Sequence, residues 1–356
     1  MKELAKRAAA WAARGAELTG LIALVEAAAD PGAQPRRRLR VLTWHRVADP
    51  GADPDLHPGL VSATPAGFDE QLAWLARRFA VVSLAEVLEA RRNRRALPRR
   101  ALLLTFDDAY GDFAEHAWPA LRRRGLSATL FVPTAYPDQP GRAFWWDRLW
   151  SAVARTRRTE LATREATLRL DSPAERARSF KRLRDRVKAL GHDEAMAFVE
   201  ELCAELGETP ARAPVLGWSA LRRLAREGVT LAPHTRTHPL LQRIDSDRVR
   251  EEVTGSLADL RREIGPTPAV LAYPSGGYDP AVVRCLREEG FELAFTTENG
   301  INDLASADPL RLRRVSVTLR TGRPVLRARL LPWPRGREAS ALNGALRAAT
   351  ARASSR

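Results

Sequence analysis

Short apolar runs of β character recur along the chain at 39–44, 101–106, 127–132, 229–232, 269–273, 291–296 and 314–318. Between them the apolar residues fall at helical spacing. The segment 280–289 is one such helix, with Asp279 as N-cap, proline in the first position and Gly290 as the stop. A second covers 247–263. Unbroken apolar runs alternating with helices predict an α/β fold, its strands buried in a mostly parallel sheet or barrel.

One stretch breaks this rhythm. From 141 to 214 no convincing strand pattern occurs, only charged helical patterns that begin near Trp145, Trp146 and Trp150. It is expected to be a helical insertion between two barrel units, placed where it can cover or line a binding site. At the N-terminus, Leu4, Trp11, Leu18 and Val25 recur at heptad spacing, joined by Ala8 and Ile22, and predict an amphipathic helix over 1–30. Arg14, Glu17 and Glu26 break the apolar part too often for a secretory signal. The helix either docks on the domain or, through Lys2, Lys6 and Arg7, lies on a membrane surface along residues 1–28. No uncharged apolar run approaches the ~18 residues of a membrane span. The expected organisation is this helix, a barrel over 36–335 carrying the insertion, and a polar tail at 336–356. The cytoplasm is the default compartment, with peripheral membrane association as the alternative.

Composition narrows the function. The 356 residues are 45% hydrophobic, enough for a sizeable core. Two cysteines, Cys203 and Cys285, allow neither a disulfide scaffold nor a thiolate zinc site, and both are expected as free buried thiols. The net charge of +15 is almost all arginine, since lysine stands only at 2, 6, 181 and 188. Those arginines interleave with acids throughout, without zinc-finger spacing or alternation of basic and aromatic residues, so no nucleic-acid partner is expected.

The chemistry lies at strand ends. Asp107 and Asp108 close the run 101–106, the array His234-Thr235-Arg236-Thr237-His238 follows 229–232, Tyr273-Pro274-Ser275-Gly276-Gly277 follows 269–271, and His45 follows 39–44. In parallel α/β folds the carboxyl ends of the strands open on one face, so four separate clusters would meet there. Taken singly each has a bland explanation: a helix cap beside a surface acid, incidental loop histidines, a satisfied core histidine, a tight turn. Together they suit a metal site. Two imidazoles four residues apart with Asp108 supply three ligands and leave a position open. The other aspartate is then available as a base, His45 as an acid, and the glycine turn as a source of N–H groups for an oxyanion. His57, His116 and His192 receive no role.

Thr105-Phe106-Asp107-Asp108, His234-Thr-Arg-Thr-His238 and Ala272-Tyr273-Pro274-Ser275-Gly276 resemble, in order and context, the first three motifs of the polysaccharide deacetylase family, the NodB-homology or carbohydrate esterase family 4 enzymes. The resemblance covers about 39–320. It implies a distorted (β/α) barrel, a divalent metal that is usually zinc, and hydrolysis of an N-acetyl group on an amino sugar. Asp107 matches the catalytic base, Asp108, His234 and His238 the metal ligands, and the Ser275 amide the oxyanion donor. Many members place the general acid in a late Leu-x-His motif, and no histidine follows His238. A subgroup acting on poly-N-acetylglucosamine carries it early, in a Tyr-His context; Trp44-His45 is similar, which makes His45 the candidate acid.

The chain departs from the family where the third motif usually has an arginine, here Ala272, and an aromatic after proline, here Ser275. That arginine normally holds the base, and Arg314 is the candidate replacement. Two other readings stand beside the deacetylase: a deformylase or deacetylase of a lipid-linked sugar, and a non-catalytic glycan-binding protein of the same fold. The expected partner is an N-acetylated glycan or glycolipid substrate.

Overall fold

The computed structural model describes residues 37–51, 53, 55–139, 141–207 and 215–331. Residues Arg37–Arg320 form one compact unit. In the other unit the described part is 321–331, with a short helix at Arg323–Arg329 whose one proline, Pro324, sits in its first turn. The expected N-terminal helix at 1–30 and the tail at 336–356 lie outside the described residues.

The main unit is built on eight strands: β1 (Arg38–Trp44), β2 (Ala80–Val81), β3 (Ala101–Phe106), β4 (Thr129–Val132), β5 (Thr230–Pro233), β6 (Val270–Ala272), β7 (Leu293–Phe295) and β8 (Val315–Ser316). Hydrogen bonding runs β8-β1-β3-β4-β5 with all pairs parallel, and β2 joins the start of β3 in parallel. A two-residue strand, Asn302–Asp303, pairs antiparallel with the start of β1. Strands β6 and β7 pair in parallel with each other, separately from the larger sheet. A parallel sheet interrupted in this way is a distorted barrel. Residues Leu39, Val41, Leu103, Phe131, Ala232, Val270, Leu293 and Phe295 form a continuous core cluster. The runs predict strand location well, because residues of β3 are buried without exception and so must be apolar or internally bonded. Truncating one of the large fully buried rings, such as Phe131, would cost about 3–5 kcal/mol.

Helices fill the connections. Helix α1 (Pro65–Arg78) starts at Thr64, whose hydroxyl accepts from the Gly67 amide, and α2 (Leu84–Arg92) starts at a Ser83–Glu86 capping box. In the insertion, α3 (Trp145–Arg155), α4 (Pro173–Val187) and α5 (His192–Leu206) pack around Phe144, Leu149, Trp150, Phe180, Leu183 and Val199. The sequence predicts no strands here, and that expectation is corrected: Glu160–Ala162 and Thr167–Arg169 form an antiparallel hairpin. Each of its strands buries one residue, Leu161 or Leu168, so it leaves no apolar run to read. Beyond the insertion come α6 (Trp218–Arg226), α7 (Ser246–Ile264) and α8 (Pro280–Glu288). The Asp279 carboxylate caps α8 by accepting from Val282 N at 2.9 Å, as its sequence predicts. Both cysteines are free and buried. Among the described residues no helix is long and apolar enough to cross a membrane.

Candidate active site

The loops after β1, β3, β5 and β6 carry His45, Asp107 and Asp108, His234 to His238, and Ser275 to one cavity of about 250 Å³. The reason is topological: parallel neighbours send their carboxyl ends to one edge. These loops are unusual in their backbone. Of the eight non-glycine residues with positive φ among the described residues, five (Asp108, Ala109, Thr235, His238 and Ser275) lie in them. Such conformations are costly and persist where surrounding contacts over-determine them. The Thr235 hydroxyl accepts from the His238 amide at 3.0 Å, and Glu252 on α7 accepts from the amides of Arg236 and Thr237 at 2.7 and 2.8 Å. The His234–His238 turn is thus tied to a long helix.

Asp108, His234 and His238 are all buried, and one donor atom from each lies within 4.8 Å of the others. Asp108 Oδ1 stands 3.4 Å from Nε2 of both imidazoles. That oxygen is buried and accepts no hydrogen bond. An orphaned carboxylate oxygen facing two ring nitrogens is unfavourable for the protein alone and suits a divalent cation. His234 Nδ1 lies 2.7 Å from the carbonyl oxygen of Ala272, to which it donates, leaving the Nε2 lone pair for an ion. His238 packs edge-on against Phe144 and Trp146, with ring centroids 5.6 and 4.8 Å away. Burial alone would raise the Asp108 carboxyl, but the two imidazoles beside it hold it well below the usual carboxylate range. Burial lowers His238, whereas for His234 the pull of Asp108 and Asp107 outweighs burial and moves it upward.

Asp107 is gripped by Arg314. The guanidinium donates from both terminal nitrogens to the two carboxylate oxygens, at 2.7 and 2.8 Å, and from Nε to the carbonyl of Thr296 at 2.9 Å. Arg314 is fully buried and makes a further bond to Thr43 Oγ1 at 3.2 Å. Arg314 thus approaches Asp107 from the residue just before β8. Burial would raise the Asp107 carboxyl; the Arg314 charge, with His234 and His45, brings it below the usual value. Nε2 of His45 lies 4.0 Å from Asp107 Oδ2, and its partly exposed side chain lines the same cavity. Its backbone is fixed by the Ser62 hydroxyl, which accepts from His45 N at 2.9 Å, and by Trp44, stacked on Phe106.

Three neighbours carry no sequence-based expectation. His57 lines the same cavity, its ring 4.4 Å from that of Phe180 and 5.0 Å from that of Trp150. Burial first, then the Arg184 charge, lowers its imidazole to about 4, so it is neutral at physiological pH. Lys188 donates to Ser275 Oγ at 3.1 Å. Behind His238, Trp146 Nε1 donates to the Tyr110 hydroxyl at 2.9 Å, which donates to Asp147 Oδ2 at 2.9 Å. Burial raises the Asp147 carboxyl to about 7 against the pull of Arg46. His57 is one of only six histidines, and Lys188 one of four lysines. Scarcity was the available signal for both.

A family model for polysaccharide deacetylases matches residues 94–294. The poly-beta-1,6-N-acetyl-D-glucosamine N-deacetylase of Escherichia coli K12 is 23% identical over 305 residues, covering 78% of this chain and 36% of that protein. The chain thus spans about a third of the length of the curated relatives it matches. Among solved structures, the Streptococcus pyogenes deacetylase PplD in complex with acetate superposes with a TM-score of 0.59 at 19% identity, covering 84% of this chain and 100% of that one. IcaB from Ammonifex degensii gives 0.55 at 19% identity, covering 83% and 97%. At these identities the two structures speak to the fold, the distorted barrel described above. The family match spans more than half of the chain and takes in Asp107, Asp108, His234, His238 and Ser275, and the chain belongs to the polysaccharide deacetylase family.

Proposed function

We propose that this chain is a metal-dependent hydrolase that removes N-acetyl groups from an amino-sugar glycan, with His45 as an acid supplied from the first strand. The observation that carries the reading is the buried donor set of Asp108, His234 and His238 beside an aspartate forked by a buried arginine. Two nitrogens and one oxygen suit zinc and similar first-row ions. Such an ion, when bound, polarises the amide carbonyl and lowers the pKa of water toward about 7.

The chain's own groups do the rest. Asp107, kept ionised by Arg314, takes a proton from the attacking water as its oxygen adds to the acetamide carbon. The charge that develops on the former carbonyl oxygen is met by the Ser275 N–H. His45 passes a proton to the sugar nitrogen as the C–N bond breaks, giving acetate and a free amine. Trp145, Trp146 and Phe180 along the cavity provide flat apolar faces for a pyranose ring. The neutral His57 ring can exchange hydrogen bonds with its hydroxyls.

The test is acetate release from N-acetylglucosamine oligomers by protein loaded with Zn2+. Asp107→Asn is expected to cut turnover at least a thousandfold while still holding close to one equivalent of metal. Wild-type turnover in that variant removes Asp107 from the chemistry. Absence of acetate from any N-acetylated glycan, with glycan binding intact, turns the reading to a binding protein.

A further inference from the structure

A second cavity, of about 500 Å³, adjoins the first and shares Trp145, Lys188 and His238 with it. Its wall is strongly cationic. Arg142 precedes α3, Arg148 lies on it, Lys188 caps the end of α4, Arg243 follows the His238 turn, and Arg248 lies on α7. Five cations from five segments face one carboxylate of the lining, Glu200.

Two of the five are neutralised, Arg148 by Glu200 at 2.9 Å and Arg248 by Asp193 at 2.9 Å. The other three are not. Arg142 donates to the carbonyl of Ala135 at 3.1 Å and lies over the Tyr136 ring; Lys188 donates to Ser275 Oγ and feels Asp185 and Asp108 without pairing with either; the Arg243 guanidinium makes no ion pair or hydrogen bond among the described residues. Elsewhere on this arginine-rich surface guanidiniums find acids, as Arg124 finds Asp69 and Arg155 finds Asp55. Three cations without a directly paired acid, converging on a concave site and one of them at the boundary with the acetamide cavity, raise the local potential where a ligand's neighbouring group would lie. A neutral glycan has nothing to place there.

We infer that this cavity binds a phosphate ester on the substrate, so that the sugar to be deacetylated bears a phosphoryl group close to its acetamide. The inference rests on the deacetylase reading above and narrows its substrate class. A phosphate offers several acceptor oxygens and up to two charges, which matches two guanidiniums and an ammonium better than one carboxylate would. The ester could belong to a diphosphate-linked sugar or to a phosphodiester within a polymer.

The test uses the Zn2+-loaded chain and a double variant, Arg142→Gln with Arg243→Gln. Inorganic pyrophosphate, titrated by calorimetry, is expected to bind the wild type at least tenfold more tightly than the double variant, as two charge-assisted hydrogen bonds are lost. Arg142→Lys with Arg243→Lys should recover part of the difference. In parallel, kcat/KM is measured for diphosphate-linked, phosphodiester-linked and unphosphorylated N-acetylglucosaminyl substrates. The wild type should prefer one phosphorylated form by about tenfold to a hundredfold, mainly through KM, and that form identifies the source. In the double variant the preference should fall toward unity. Equal pyrophosphate affinity in wild type and double variant, or no preference over the neutral substrate, overturns the inference and leaves the deacetylase reading standing. Variant-sensitive pyrophosphate binding without acetate from any substrate sustains the cavity and overturns that reading instead.

Discussion

Asp107 and Arg314 are separated by more than half of the chain, yet they form a fully buried, two-pronged ion pair. Removing one partner from such a pair leaves an uncompensated charge, at a typical cost of about 3–5 kcal/mol. Arg314→Met is therefore expected to lower unfolding stability by that amount in urea titration. It should also reduce kcat by at least a hundredfold, since the freed carboxylate rotates and its affinity for protons rises. Wild-type stability and rate together would remove the pair from both roles. The aspartates and the histidine pair were legible because strand-end clusters announce themselves locally. The partner of Asp107 was legible only as an expectation, because a lone arginine among so many carries no local mark. His57 carried no signal beyond its scarcity: its environment comes from Trp150 and Phe180, far along the insertion. Its lowered pKa makes a separate prediction. Between about pH 6.5 and 4 the unfolded imidazole takes up a proton that the folded one refuses, so stability falls as pH falls through that window. Allowing for partial exposure, the loss between pH 7 and 5 is on the order of 1–2 kcal/mol. His57→Gln should remove that share of the acid sensitivity, and identical pH dependence in the two proteins would refute the assignment.

At the scale of elements, the site depends on turns that keep side chains off regular geometry. Gly276 has a φ of +74°, and a Cβ there would meet Thr297, its hydroxyl first and then its amide nitrogen at 2.6 Å. Both the conformation and the contact exclude alanine without movement of the turn. Gly276→Ala is thus expected to displace the Ser275 amide and lower kcat by tenfold or more, while metal content stays at wild-type level, because the ligands hang from β3 and β5. A variant with unchanged kcat would remove the Ser275 turn from the oxyanion role. Elements also explain what patterning reveals. Runs buried on both faces, such as β3, were found with their bounds nearly intact. The hairpin at 160–169 was missed because it buries a single side chain per strand and is held by backbone bonds and the Thr163 hydroxyl, which leave no hydrophobic trace.

For the whole molecule, the three proposed ligands join two strand ends, after β3 and after β5, whose intervening chain includes the entire insertion. An ion held by all three cross-links these regions in the folded state, and it has no comparable site in the unfolded chain. Binding therefore adds to stability by mass action, about 2.7 kcal/mol when free metal is 100-fold above its dissociation constant. For a unit of this size each kcal/mol moves the thermal midpoint by about 2–4 °C. Without the ion, Asp108 Oδ1 returns to being a buried acceptor with no donor, so the protein has no internal substitute for it. Chelation of wild-type protein should lower the midpoint by about 5–10 °C, and added Zn2+ should restore it. In His238→Ala, with one ligand gone, most of that shift should vanish. Calorimetry with and without chelator on both proteins decides the matter: a wild-type midpoint that ignores the chelator means that the buried triad holds no stabilising ion, and the hydrolytic reading loses its foundation.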